Sequence, residues 1–143
     1  LGQMSFVGPR PNVKRETDLY TLEEKALLSV RPGITDLASI VFSDEGEILS
    51  NSQDPDLDYN QLIRPWKSRL GIFYVKKRTL LLDIKLIILT AISIISRQKT
   101  LNSINKILIN LSAEEKLIQI SKRENQLTPH PPPGSDFIVT SRE

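Results

Sequence analysis

The chain has 143 residues, 39% of them hydrophobic, a formal net charge of +2 and no cysteine. That length suits one domain with a modest core, and the lack of cysteine excludes disulfides, thiolate metal sites and cysteine nucleophiles. The single histidine, His130, stands in the proline-rich "TPHPPPGS" and is expected to be an exposed tail residue, so a histidine-based triad or metal centre has no support.

Charge is unevenly spread. Residues 1–61 carry 5 Lys/Arg against 11 Asp/Glu, whereas residues 62–143 carry 14 against 6. A basic half calls for an anionic partner: nucleic acid, nucleotide phosphate or an anionic membrane face.

The chain opens on "GQMSFVGPRP", residues 2–11. Gly8 lets another group approach the backbone, while Pro9 and Pro11 hold Arg10 with little entropy left to lose. Arginine is the side chain best shaped to grip a phosphate through two hydrogen bonds. Gly8, Pro9, Arg10 and Pro11 are therefore a candidate anion clamp; in an extended linker, Arg10 would meet only solvent or a carboxylate. Next, "YTLEEKALLSV" predicts a short helix capped by Thr21, with Glu24 completing a capping box. It is expected to stop at "VRPGIT", where Pro32 and Gly33 suit a type II turn. Arg31 beside that turn is a second candidate anion ligand, although the helix dipole alone favours a basic residue there. "LASIVF", 37–42, reads as a strand, and "SDEGEILSNSQDPDLD", 43–58, mostly as a solvated loop.

From Leu62 to Arg78 the character changes: six basic residues and no acid interleave with Trp66, Phe73 and Tyr74. Such a stretch suits a membrane headgroup layer, with base stacking on nucleic acid or a solvated helix face as alternatives. The apolar run that follows, "TLLLDIKLIILTAISIIS", favours the membrane. With Asp83 and Lys85 inside it, this run falls short of the roughly 20 apolar residues that span a bilayer. It predicts a buried or interfacial helix with Ile84, Ile87, Ile88, Ala91, Ile94 and Ile95 on one face and Asp83, Thr90 and Arg97 on the other. An aspartate in an apolar run is costly unless paired or facing water, so Asp83 is a structural partner or a catalytic one. Beyond residue 100, "INKILINL" is amphipathic and Ser112 to Glu115 offers another capping signal. "LTPHPPPGSDFIVTSRE" has the composition of a flexible tail.

In that order, "GQMSFVGPRP", "VRPGIT" and "YVKKRTLLLDIKLIILT" resemble the C-terminal half of the bacterial sugar transferase family over roughly residues 1–97. These are monotopic polyprenyl-phosphate phosphoglycosyl transferases, which begin capsule, O-antigen and exopolysaccharide assembly. The overall expectation is a mixed α/β, helix-dominated, membrane-associated fold with short strands and a flexible C-terminal tail. Residues 1–100 would be the C-terminal part of the catalytic domain, and 101–143 a variable helical segment followed by a disordered tail. The resemblance implies transfer of a sugar phosphate from a UDP-sugar to undecaprenyl phosphate, with Mg²⁺, at the cytoplasmic face of the bacterial inner membrane. The implied partners are UDP-sugar, undecaprenyl phosphate and an anionic membrane surface, with no nucleic acid.

Carried over by position, Gly8, Pro9, Arg10, Pro11 and Arg31 would bind substrate, the two arginines neutralising a diphosphate. Asp83 matches the family's "LDIKI"-like motif and would support catalysis. The family's nucleophilic Asp-Glu pair precedes its "GPRP" motif and is expected upstream of Leu1. The chain is thus expected to be an incomplete catalytic domain, inactive alone and without metal ligands of its own. A catalytically inactive membrane-binding or interaction module is the alternative. Gln3, Asp36 and Ser39 depart from the family's usual aspartate, glycine and glutamine, and "FSDEGEILSNSQ" replaces its "GRN"-like segment.

Overall fold

The computed structural model describes residues 5–8, 20–29 and 33–140. Two short strands, β1 (Ser5–Val7) and β2 (Gly33–Thr35), pair in parallel, with Ser5 opposite Gly33 and Val7 opposite Thr35. A 3₁₀ helix (Glu24–Ser29) lies between them in sequence. After β2 come α1 (Leu37–Val41), α2 (Glu45–Leu49), α3 (Pro55–Asp58) and a π-helical turn (Tyr59–Ile63). Four helices complete the chain: α4 (Arg64–Lys77), α5 (Leu80–Ile95), α6 (Arg97–Asn110) and α7 (Glu115–Ser121). The expected helix dominance is present, and the strands among the described residues are two of 3 residues each.

Helix α1 is the hub. It packs against α4, α5 and α6, and Leu37 and Val41 are wholly buried there with Ile63, Leu70, Leu86, Ile104 and Leu108. Each such side chain contributes roughly 1.5–3 kcal/mol by leaving water. The strand expected over residues 37–42 is therefore corrected to a helix. A short apolar run fits a buried helix as well as a strand. Asp36 decides between them: its carboxylate accepts from the Ser39 backbone N–H at 2.9 Å and the Ser39 hydroxyl at 2.6 Å, capping α1. Asp36 and Ser39 are thus partners of each other.

The loop expected over residues 43–58 is corrected likewise, since it holds α2 and α3. Asp54 caps α3 by accepting from Leu57 N–H at 3.2 Å, with Pro55 in the first turn. The capping box at Thr21 forms as expected. Thr21 N–H donates to Glu24 Oε1 at 3.0 Å and Glu24 N–H donates to Thr21 Oγ1 at 3.2 Å, although the helix it opens is 3₁₀ rather than α. Helix α7 exists, but its start at Glu115 carries no side-chain cap. Ser112, with φ of 62°, instead adopts the left-handed conformation that closes α6.

Residues 126–140 contain no helix or strand, as their composition predicts, but they are not a free tail. Leu127, Pro132 and Pro133 are buried. His130, expected to be exposed, is partly buried and stacks on Trp66 with ring centroids 4.7 Å apart.

Candidate functional site

Among the sequence-predicted site residues, Gly8 and Asp83 are described; Pro9, Arg10, Pro11 and Arg31 lie outside the described residues. Gly8 is buried at the end of β1, and its N–H donates to Thr35 O at 3.0 Å. The segment bearing the glycine-proline motif and the one bearing the Arg-Pro-Gly motif are thus joined backbone to backbone.

Helix α5 receives that joint. The Thr90 hydroxyl donates to Leu86 O at 2.8 Å and lies 2.7 Å from the Thr35 hydroxyl. With its only proton given to Leu86, Thr90 accepts from Thr35. Asp83 sits seven residues earlier on the same face of α5, about 10 Å along the axis. Thr79 caps this helix by accepting from Leu82 N–H at 3.1 Å, which places Asp83 in the first turn.

Asp83 is anchored, and the periodicity did not reveal by what. The Tyr74 hydroxyl, from the end of α4, donates to Asp83 Oδ1 at 2.6 Å. Tyr74 is almost wholly buried. Burial pushes its phenol well above the ordinary tyrosine range, and the hydrogen bond and charge of Asp83 push it further. It therefore stays protonated and stays a donor. The charge of Asp36 raises the same phenol and that of Arg78 lowers it. Gly8, Thr35, Asp36, Tyr74 and Asp83 thus belong to one neighbourhood. Arg97, expected on the polar face of this helix, instead opens α6 and reaches Val41 O at 3.1 Å and Asp44 at 3.2 Å.

A second polar group lies deeper. Arg64 donates from Nε to Glu24 Oε2 at 3.0 Å and from Nη2 to Glu24 Oε1 at 2.5 Å. Its Nη1 donates to Asn60 Oδ1 at 2.9 Å, and Ser68 donates to Glu24 Oε2. Asn60, Arg64 and Ser68 recur every four residues, a polar stripe that the sequence did display. Glu24 accepts from Thr21, Arg64 and Ser68, so it holds the 3₁₀ helix on α4 rather than acting as a base. Gly71 assists that approach, since a Cβ there would meet Leu27 Cδ2 at 2.6 Å.

The outer surface of α5 is apolar and bare. Leu80, Leu81, Ile84, Ile87, Ile88, Ile92, Ile94 and Ile95 are all exposed, Ile95 by 88%. Lys76, Lys77 and Arg78 stand exposed immediately before them. The predicted isoleucine face exists but points outward; Leu82, Leu86 and Leu89 carry the packing.

A family model described as "Bacterial sugar transferase" matches residues 1–97. The chain belongs to the bacterial sugar transferase family. The matched span contains both glycine-proline motifs, Tyr74, Asp83 and all of α5, and ends where α6 begins. Neither the search of curated proteins nor that of solved structures found a match. Among the described residues, no group of three or more His, Cys, Asp or Glu could hold a metal ion. No described helix is long and apolar enough to cross a membrane.

Proposed function

We propose that this sugar transferase chain supplies the diphosphate-binding and membrane-facing part of an enzyme of the bacterial inner membrane's cytoplasmic face. That enzyme moves a sugar phosphate from a UDP-sugar to undecaprenyl phosphate and releases UMP. One observation carries the reading. The segments bearing both proline-glycine motifs are joined through Gly8 and Thr35 against Thr90 on the inner face of α5, two turns from Asp83, while the outer face of the same helix is apolar, uncovered and edged with cations. A water-soluble donor and a lipid acceptor need that pairing of a polar inner face with a greasy edge.

In this reading Arg10 and Arg31 neutralise the diphosphate as negative charge moves toward the leaving UMP. Asp83, held by the hydrogen bond from Tyr74, supports the substrate site from the first turn of α5. The described residues do not fit a Mg²⁺ site. The metal implied by the family resemblance would be held by carboxylates outside them, with the attacking Asp-Glu pair upstream of Gly8.

The test is reconstitution. Fused behind a family member's segment that carries the Asp-Glu pair, the chain should support UMP release from a UDP-sugar and undecaprenyl phosphate. Arg10→Lys in that fusion should lower the rate about 30- to 150-fold, because lysine cannot form the two-bond fork. Turnover by the 143-residue chain alone would contradict the assignment of the nucleophile. A folded fusion that binds vesicles yet never turns over would favour the inactive membrane-binding module.

A further inference from the structure

The family match ends at residue 97, and the C-terminal residues do something of their own. They cross α4 and reach the start of the 3₁₀ helix. His130 N–H donates to Gln61 O at 3.0 Å, and Gln61 Nε2 donates back to Val139 O at 2.9 Å. Arg69 Nη1 donates to Pro131 O at 3.0 Å. The Thr21 hydroxyl donates to Pro133 O while accepting from Glu24 N–H. Gly134 makes the turn there with φ of 85°, where a Cβ would press on Thr21 and Glu23 at 3.1 Å.

The pin of this crossing is His130 on Trp66, and it sits among cations. The Arg69 guanidinium carbon lies 5.1 Å from the Trp66 ring centroid and Lys116 Nζ lies 5.9 Å from it. We propose that residues 127–139 form a strap that locks the 3₁₀ helix onto α4, and that protonation of His130 releases it.

The neutral imidazole stacks on the indole without opposing either cation. An imidazolium would be attracted to the indole ring, but Arg69 and Lys116 already lie over that ring and repel a third positive charge. The carboxylates nearby act on Arg69: Glu114, Glu23 and Glu24. Burial first, then Arg69, then Lys116 lower the His130 pKa from its ordinary value. The sign follows. A histidine whose seated pKa lies below its free value stabilises the seat fully above the free value, about 6.5, and loses that contribution as pH falls through the seated pKa. Release frees the Thr21 hydroxyl from Pro133 and loosens the start of the helix that carries Glu24.

Trp66 is the only tryptophan in the chain, so its emission reports the pin alone. Titrated from about pH 8 to about pH 5, Trp66 emission should change with a midpoint below about 6.5. Proteolytic cleavage within 127–139 should quicken several-fold over the same range, with far-UV circular dichroism unchanged. His130→Gln should abolish the titration. His130→Phe, which keeps a ring on Trp66 but cannot be protonated, should stay protease-resistant throughout. A flat wild-type profile, a midpoint at or above about 6.5, or the same titration in His130→Phe would overturn the proposal.

Discussion

Helices α4 and α5 are separated by only Arg78 and Thr79, yet they hide opposite kinds of side chain. Helix α4 buries Arg64 and Ser68 beside Trp66, Leu70 and Tyr74. Helix α5 buries only Leu82, Leu86 and Leu89 and leaves its isoleucines outside. A buried charge and an exposed apolar band are the two departures from ordinary partitioning that carry information. In α4 the departure is compensated, because Glu24 and Asn60 accept from the guanidinium and Ser68 donates to Glu24. In α5 nothing in the described chain covers the apolar face. The first is architecture; the second is a surface awaiting an environment.

The sharpest way to break this contrast is to remove the compensation. Glu24→Ala leaves Arg64 buried without its bidentate partner, a loss worth about 3–5 kcal/mol in unfolding free energy. Urea denaturation measures it. An unchanged midpoint would mean that Arg64 reaches water and that α4 holds no buried charge.

Within α5 the two faces should differ by a comparable amount. Leu86→Ala empties a packed site and should cost about 2–5 kcal/mol. Ile88→Ser, half a turn away on the bare face, should stay within about 0.5 kcal/mol. Equal costs for the two would show that the isoleucine face is covered in solution.

A smaller loss than that of Leu86→Ala is expected of Tyr74→Phe, which removes one hydrogen bond between the helices. A loss of about 1 kcal/mol, or up to about 3 if the Asp83 oxygen goes unpartnered, should appear in thermal unfolding. No loss would detach Asp83 from α4.

Much of this was legible in the sequence where the signal was local. Thr21 and Glu24 are three residues apart, so their box can be read directly; the faces of α5 follow from its 3.6-residue period. What escaped was of two kinds. Residues 37–42 are apolar without a decisive period, and only Asp36, one residue earlier, marked them as a capped helix. Residues 54 and 55 carried the same kind of signal, an aspartate cap followed by proline. The other kind was distance. Tyr74 and Asp83 meet across a helix break, and Glu24 meets Arg64 from forty residues away. No periodicity encodes such pairs. The proline-rich tail was read as flexible, whereas its described residues lie against α4, because composition says nothing of what a segment packs on.

In the proposed function the bare face of α5 meets lipid, guided by the cations beside it, and vesicle sedimentation is the direct test. Helix α5 has 16 residues, about 24 Å of length against a hydrocarbon core of about 30 Å, so it would lie on the bilayer rather than cross it. Each of Lys76, Lys77 and Arg78 should contribute roughly 1 kcal/mol near anionic lipid, screened by salt. The protein should co-sediment with anionic vesicles, less so at high salt. Binding should weaken both when those three residues become glutamine and when Ile84 and Ile88 become serine. Failure to bind anionic vesicles, or binding indifferent to the isoleucine substitutions, would contradict the claim.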